Sequence, residues 1–331
     1  MNTFGMKVSC PVFIGYDSPE DLLDIDFGSL RPPVLNLGGG SNLLFERDFG
    51  GTVLHSSIDY IKELSRAGGS CLVEAGSGVV FDSFVQWCCS RGLWGAENLS
   101  MIPGVVGAAA VQNIGAYGAE VKDIIEEVRC FDVSRKCWCV LENKDCRYAY
   151  RDSFFKNEGK GRYIITSVLF LLSEKPWPRL GYGNLASLLE GKPDLTPSDV
   201  RDAVCALRES KLPDPGKIGS AGSFFKNPVV PEEHYRRIEA VAKSEFGPDA
   251  VVPHFIQADG IKVPAAWMID RCGLKGSSVG GAALYEKQPL VIVNRSGEAT
   301  PEDILELERI VVDAVRNKFG VELHPEVEHI K

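Results

Sequence analysis

The stretch Ile102–Glu120, IPGVVGAAAVQNIGAYGAE, decides how the chain is read: nine of its nineteen residues are Gly or Ala, and it holds no Lys, Arg or His. So small-sided a run packs little hydrophobic core, and each glycine adds unfolded-state entropy that folding must overcome. The pattern makes sense where the backbone itself lies against something large and flat, or against phosphates. Main-chain N–H groups then reach the ligand, and Gln112 and Asn113 supply side-chain hydrogen bonds. Taken alone, such a run is more often an ordinary glycine-rich loop. Its surroundings have to decide.

The chain has 331 residues, 44% of them hydrophobic, which is more than one core usually serves and predicts two or three domains. With 24% charged residues, no long segment is polar enough to stay disordered. The longest apolar stretch, near Ile164–Leu172, suits a buried strand and falls short of a membrane span. The N-terminus, MNTFGMKVSCPVFIG, lacks the basic and apolar regions of a signal peptide, so its ten cysteines are expected as thiols in a reducing cytoplasm. Cys137 and Cys139 straddle Trp138, and Cys88 adjoins Cys89. Neither pair has zinc-knuckle spacing and the five histidines form no ligand pattern, so both pairs read as buried structural thiols and no metal is expected. A net charge of −9 without a Lys/Arg cluster argues against a nucleic-acid face. An anionic small molecule remains possible where a few cations gather.

Along the first half, Val34–Leu37, Thr52–His55 and Cys71–Ala75 read as strands, Phe81–Arg91 as a helix, and Ile124–Val133 with Cys137–Glu142 as a hairpin. Tyr163–Leu172 reads as a buried strand, and Gly-rich turns between short strands point to α+β layers. The Pro/Gly-rich stretch Ser173–Leu195 is long for a plain connection, and such loops are often functional. Thr196 and Pro197 open a helix buried through Val200, Val204 and Leu207. Two prolines and a glycine in KLPDPG, Lys211–Gly216, then mark a domain boundary. The last third reads as an α/β unit, with helices over Pro231–Phe246 and Val263–Arg271 and a strand at Leu290–Asn294. Its final helix opens at Thr300-Pro301 and closes at Gly320.

Four further stretches have more specificity than a structural role requires. LGGGSNLLF (Leu37–Phe45) sets three glycines, Ser41 and Asn42 after a strand, a nest of donors suited to a pyrophosphate. It is neither a Rossmann GxGxxG nor a Walker sequence, and Gly76-Ser77-Gly78 fails as well, because Phe81 occupies the third glycine position. In YAYRDSFFK (Tyr148–Lys156), Arg151 lies among aromatic and apolar residues, where it needs an anion or an internal partner such as Asp152. In GSAGSFFKNP (Gly219–Pro228), Ser223 sits on a glycine turn. It lacks the second glycine of a nucleophile elbow, so it fits a proton donor to a strongly basic carbanion or enolate, or a turn-capping serine. In HPEVEHI (His324–Ile330), Glu326 follows Pro325 near the end of the chain, where a lone glutamate is usually solvated.

Taken in order, Asn2–Gly5, LGGGSNLLF, IPGVVGAAAVQNIGAYG, YRDSFFK, KLPDP, GSFFKNP, AAWMIDRCGLKG and PEV closely resemble the UDP-N-acetylenolpyruvoylglucosamine reductase (UDP-N-acetylmuramate dehydrogenase) family, over nearly the whole chain. The resemblance implies an α+β FAD-binding fold of the vanillyl-alcohol-oxidase/PCMH type in two subdomains, residues 1–58 and 59–210, the second bearing a substrate-capping loop at 173–195. A C-terminal α/β substrate-binding domain over 211–331 would follow. It implies non-covalent FAD held by Gly38, Gly39, Gly40, Ser41, Asn42, Pro103, Gly104, Gln112, Asn113, Gly115, Ala116, Gly118 and Arg208. Arg151, Ser223 and Glu326 match the catalytic residues. Tyr150, Tyr182, Lys211, Asn227 and Gln288 match substrate-binding positions, with Tyr182 on the loop of a tyrosine-bearing subgroup.

The implied reaction is NADPH-dependent reduction of UDP-N-acetylglucosamine enolpyruvate to UDP-N-acetylmuramate in peptidoglycan synthesis, by a cytoplasmic monomer with small-molecule partners only. Arg151 would meet the charge that collects on the enolate and Ser223 would protonate the adjacent carbon. Glu326 would help if protonated, or by orienting a water or Arg151. Ala108, Ala110, Ser220 and Arg271 depart from common family residues, and the chain stops soon after Glu326. The competing readings are an FAD-dependent sugar or alcohol oxidase of the same fold, and a catalytically silent nucleotide-binding protein.

Overall fold

Burial is almost continuous along Tyr163–Ser173, so this strand is covered on both faces and takes the centre of a five-stranded sheet. The order is Cys137–Glu142, Ile125–Asp132, Tyr163–Ser173, Ser70–Gly76, Ile61–Ala67, and every neighbouring pair is antiparallel. A bulge between Ile165 and Ser167 inserts one residue. That puts Ile165 and Val168 into the same core although they are an odd number of residues apart. This core takes in Phe84 from the helix Phe81–Ser90 and Val106, Ala109 and Ala110 from the helix Val106–Gln112, with the Phe84 and Phe170 rings 4.3 Å apart.

The computed structural model describes residues 2–331, and by packing the chain forms two units. One comprises Ser9–Gly39 and Phe49–Ser210 and holds the five-stranded sheet. It also holds a parallel sheet in the order Val12–Tyr16, Thr52–Ser56, Val34–Leu37, and the helix Pro197–Lys211 packed on Trp94, Leu185 and Leu189. The other comprises the N-terminal segment to Val8, Gly40–Asp48 and Lys211–Lys331. Its sheet runs Gly219–Ser220, Gln288–Asn294, Ala282–Tyr285, Ser278–Val279, with the helices Glu232–Phe246, Ala265–Arg271 and Pro301–Phe319 around a core of Phe4, Leu44, Phe224, Phe225, Met268 and Val311. The C-terminal strand Glu328–Ile330 pairs in parallel with Leu43–Phe45.

The last helix starts where its capping chemistry places it: Thr300 Oγ1 accepts the Asp303 N–H and Asp303 accepts the Thr300 N–H, while Gly320 ends it at φ 68°. Two expectations need correction. Residues 106–112 of the Gly/Ala run are helical rather than loop, because Val106, Gly107, Ala109 and Ala110 give it a narrow face that lies flat against the sheet core. Cys88 and Cys89 are buried as expected, but Cys137 is exposed, since its strand forms the edge of the sheet. No described helix is long and apolar enough to cross a membrane, and no cluster of His, Cys, Asp and Glu among the described residues could hold a metal ion.

The C-terminal strand carries His329 between two carboxylates, with Nδ1 3.3 Å from Glu46 and Nε2 3.4 Å from Glu308. Burial, together with the charge of Glu46, pushes the Glu308 carboxyl up to about 7, and burial holds His329 below its usual range. A carboxyl that keeps its proton longer when folded than its unfolded value of 4.5 allows costs stability as pH rises through about 7. Glu308→Gln should therefore melt above the wild type at pH 8, with the gap closing towards pH 4.5. Thermal melts across that range check this, and a gap independent of pH would refute it.

Candidate active site

Leu37 ends its strand and the chain turns through Gly38 and Gly39 directly onto residues 104–108. A Cβ on Gly38 would sit 2.9 Å from the Cβ of Ala108, and one on Gly39 would sit 3.0 Å from the Cα of Gly104. Only glycines permit two backbones to meet at this spacing. Ala108 is thus a packing partner of the first turn glycine. Pro103, just before Gly104, is exposed.

Past the short helix, Asn113 takes the left-handed conformation (φ 44°) and its N–H returns to Ala109 O. Its fully buried side chain is spent inside the protein. Nδ2 donates to Ala149 O at 2.7 Å and to Glu120 at 3.3 Å, and Oδ1 accepts the Lys122 N–H. Asn113 therefore brackets the run to the segment bearing Tyr150 and Arg151. Gln112 Oε1 accepts from Lys156 Nζ at 3.1 Å, and Lys156 also donates to Arg151 O. Arg151 has φ 56°, donates through Nη2 to Gly115 O at 2.6 Å and lies over the Tyr150 ring. Asp152 serves Ser153 N–H and Asn157 instead.

Gly115-Ala116 pairs with Ala119-Glu120 in a tight hairpin whose tip is Tyr117 (φ 48°) and Gly118 (φ 80°). The exposed Tyr182 stands edge-on to Tyr117, ring centroids 6.2 Å apart. Buried Asn98 fastens this pair: its Nδ2 donates to both Tyr117 O and Arg179 O at 2.8 Å, and Arg179 makes an ion pair with Asp123. Sequence reasoning missed Asn98, four residues before the Gly/Ala run, and Lys156, the last residue of YAYRDSFFK. Arg208, on the helix Pro197–Lys211, donates Nη2 to Met101 O at 3.2 Å, and its Nε is buried with no hydrogen-bond partner. Burial lowers its pKa.

In the other unit, Ser223 lies between Gly222 (φ 74°) and buried Phe224. The tail runs antiparallel to this turn: Glu326 N–H donates to Phe224 O at 2.8 Å, Lys226 N–H to His324 O at 2.9 Å, and Phe225 bridges Pro325. Glu326 and Ser223 are thereby held on adjacent backbone. Asn42 clasps the tail from its other side, Nδ2 donating to Glu326 O at 3.0 Å and its carbonyl accepting the Glu328 N–H. Gly40, at φ 63°, accepts the Thr3 N–H. Asn227 Oδ1 caps the helix Ala265–Arg271 through the Ala265 N–H, Gln288 opens a central strand, and Lys211 is exposed at a helix end. Arg151 therefore belongs to one unit, and Ser223 and Glu326 to the other.

The family model described as UDP-N-acetylenolpyruvoylglucosamine reductase, C-terminal domain, matches residues 214–330, and one described as FAD binding domain matches residues 28–135. A UDP-N-acetylenolpyruvoylglucosamine reductase of Neisseria meningitidis serogroup C is 47% identical, covering 98% of this chain and 93% of its own. That of Bacteroides fragilis is 44% identical, covering 99% and 97%. The crystal structure of UDP-N-acetylenolpyruvylglucosamine reductase from Thermus caldophilus matches with a TM-score of 0.68 over 100% of this chain and 96% of its own, at 24% identity, which shows a shared fold.

Because Asn98 ties Tyr117 to Arg179 through one buried amide, Asn98→Ala should raise hydrogen exchange over residues 117–118 and 173–195 by about tenfold or more. The five-stranded sheet should keep its protection. Exchange unchanged over both segments would show that the loop is held by other contacts.

Proposed function

The chain belongs to the UDP-N-acetylenolpyruvoylglucosamine reductase family, and on that premise we propose that Arg151, Ser223 and Glu326 carry its chemistry. The protein is an FAD-dependent oxidoreductase that uses NADPH to reduce UDP-N-acetylglucosamine enolpyruvate to UDP-N-acetylmuramate, a step of peptidoglycan synthesis. The observation that carries the assignment of roles is the pairing of the tail with the Ser223 turn, which holds a hydroxyl and a carboxylate on adjacent backbone.

The residues present fit FAD. The buried Nε of Arg208, without a partner in the protein, gains one if it meets a pyrophosphate, and the side-chain-free surface at Gly38, Gly39 and Gly104 lets a ligand touch main-chain N–H groups. When bound, FAD supplies the relay of a hydride from NADPH to the enolpyruvyl group. Arg151, oriented by Gly115 O, offers a fixed positive charge to the substrate carboxylate, where negative charge grows as the hydride arrives. Ser223 gives its proton to the carbon next to that carboxylate, and Glu326 is the second group of this proton site. Gln112 and Lys156 keep the cofactor-side helix in register with Arg151. Asn113 acts by bracketing Ala149, ahead of Tyr150, rather than by reaching the cofactor with its amide.

Tyr150, Tyr182, Lys211, Asn227 and Gln288 are proposed to hold the substrate, Tyr182 from the loop that Asn98 fastens. The proposed functional parts are FAD-binding residues 1–58 and 59–210 and substrate-binding residues 211–331. In packing, Gly40–Asp48 and the N-terminal segment to Val8 go with the last of these. The partners are small molecules, which fits work as a monomer in the cytoplasm.

Under anaerobic conditions NADPH should bleach the yellow enzyme, and UDP-N-acetylglucosamine enolpyruvate should restore the colour far faster than oxygen does. A colour restored equally fast by oxygen would favour an oxidase. Ser223→Ala should leave bleaching by NADPH at the wild-type rate and slow recolouring by about 10²–10⁴-fold. Equal slowing of both half-reactions would remove Ser223 from its role. Gly39→Ala, which drives a methyl group onto Gly104, should weaken FAD binding by about tenfold or more in a fluorescence titration. Unchanged affinity would place the cofactor elsewhere.

A further inference from the structure

We propose that Asp82 and Arg201 are positioning residues for the FAD: they pin Met101 and, through it, set Arg208 and the Pro103-Gly104 turn. Asp82 stands in the first turn of the helix Phe81–Ser90, and Oδ1 accepts the Met101 N–H at 2.5 Å. The same carboxylate takes both terminal nitrogens of Arg201, at 2.6 Å and 2.8 Å, the two-pronged geometry that fixes a guanidinium in direction as well as distance. Arg201 and Arg208 are seven residues apart on the helix Pro197–Lys211, close to two full turns, and so share a face. Arg208 takes the other end of the same residue, Met101 O.

Met101 is thus held at its amide by a carboxylate and at its carbonyl by a guanidinium, and it sits at φ 58°, a left-handed conformation unfavourable for a side chain of its kind. Such a conformation persists only where the surroundings over-determine it. Two residues later the chain enters Pro103-Gly104, the backbone that meets Gly39. The Asp82 carboxylate accepts from Met101 and from both Arg201 prongs, so its influence on a ligand passes through Met101 and Arg208. Arg208 keeps one buried N–H without a protein partner, and the direction in which that group points depends on the anchor at Met101. An ion pair that merely joined two helices would have no cause to converge on one left-handed residue ahead of a glycine turn.

The inference rests on FAD being the cofactor of this chain. Its test is titration of the full-length, flavin-stripped protein with FAD, followed by flavin fluorescence well below the melting temperature of each apoprotein. Asp82→Asn and Arg201→Leu should each raise the FAD dissociation constant about tenfold or more. The double variant should lose little beyond either single change. Arg201→Lys, which keeps the charge and loses the fork, should weaken binding as well, and it guards against a leucine variant that fails to fold. In an Arg208→Met background, Asp82→Asn should have a clearly smaller effect than in the wild type. Dissociation constants within twofold of the wild type for Asp82→Asn and Arg201→Lys would reduce the pair to helix packing and overturn the proposal. Full additivity with Arg208→Met would overturn the route through Arg208. A wild-type apoprotein that binds no FAD would instead bring down the cofactor reading, an outcome distinct from both.

Discussion

The contact of Gly39 with Gly104 places a constraint on everything around it. Two main chains that lie within reach of a missing Cβ must both be held firmly, since neither has a side chain with which to hold itself. The structure meets that demand from several directions. The strand Val34–Leu37 is pinned in a parallel sheet, and the far side is stiffened by the helix Val106–Gln112, by Asn113 and by the anchors on Met101. Small residues here yield little burial of their own, so the stability of this region is borrowed from the aromatic and aliphatic core behind it, Phe84 and Phe170 foremost.

The second unit solves a different problem. The Ser223 turn and the Glu326 tail are kept together although these segments have hardly any regular structure. The tail residues His324–Ile330 do this with main-chain pairing on two sides, to Phe224–Lys226 and to Leu43–Phe45, and Asn42 closes the gap between the pairings. Backbone hydrogen bonds are indifferent to side-chain identity. The identities of Ser223 and Glu326 are consequently not fixed by this pairing, while Phe224, Phe225 and Val327 supply the burial.

Much of the fold was legible where a periodic apolar pattern coincided with capping or turn residues. The helix Pro301–Phe319 between Thr300 and Gly320 and the hairpin Ile125–Asp132 with Cys137–Glu142 are examples. The helix Val106–Gln112 was not legible, because glycine and alanine blur the apolar contrast on which helical periodicity depends. Nor was the union of Gly40–Asp48 with the C-terminal residues, since strands of three residues carry almost no pattern and their partners lie at the opposite end of the chain. At the site, the motifs nominated residues but could not tell a ligand-facing amide from a bracketing one. Asn113 looks like a ligand contact in sequence and is occupied by Ala149, Glu120 and Lys122 in space. Asn98 and Asp82 stood out by no motif of their own, for each is bonded to main-chain atoms further along the chain.

The parallel pairing of Leu43–Phe45 with Glu328–Ile330 has a consequence for how the protein is made. Leu43–Phe45 must wait for partners that lie 285 residues further along the chain (328 − 43). At roughly 5–20 residues per second that interval is on the order of tens of seconds. Throughout it Leu43, Leu44 and Phe45 are an apolar strand without its neighbour, the kind of edge that invites wrong pairing. The brevity of that strand, with Glu46, Arg47 and Asp48 following at once, limits what it can recruit while the tail is still being synthesised.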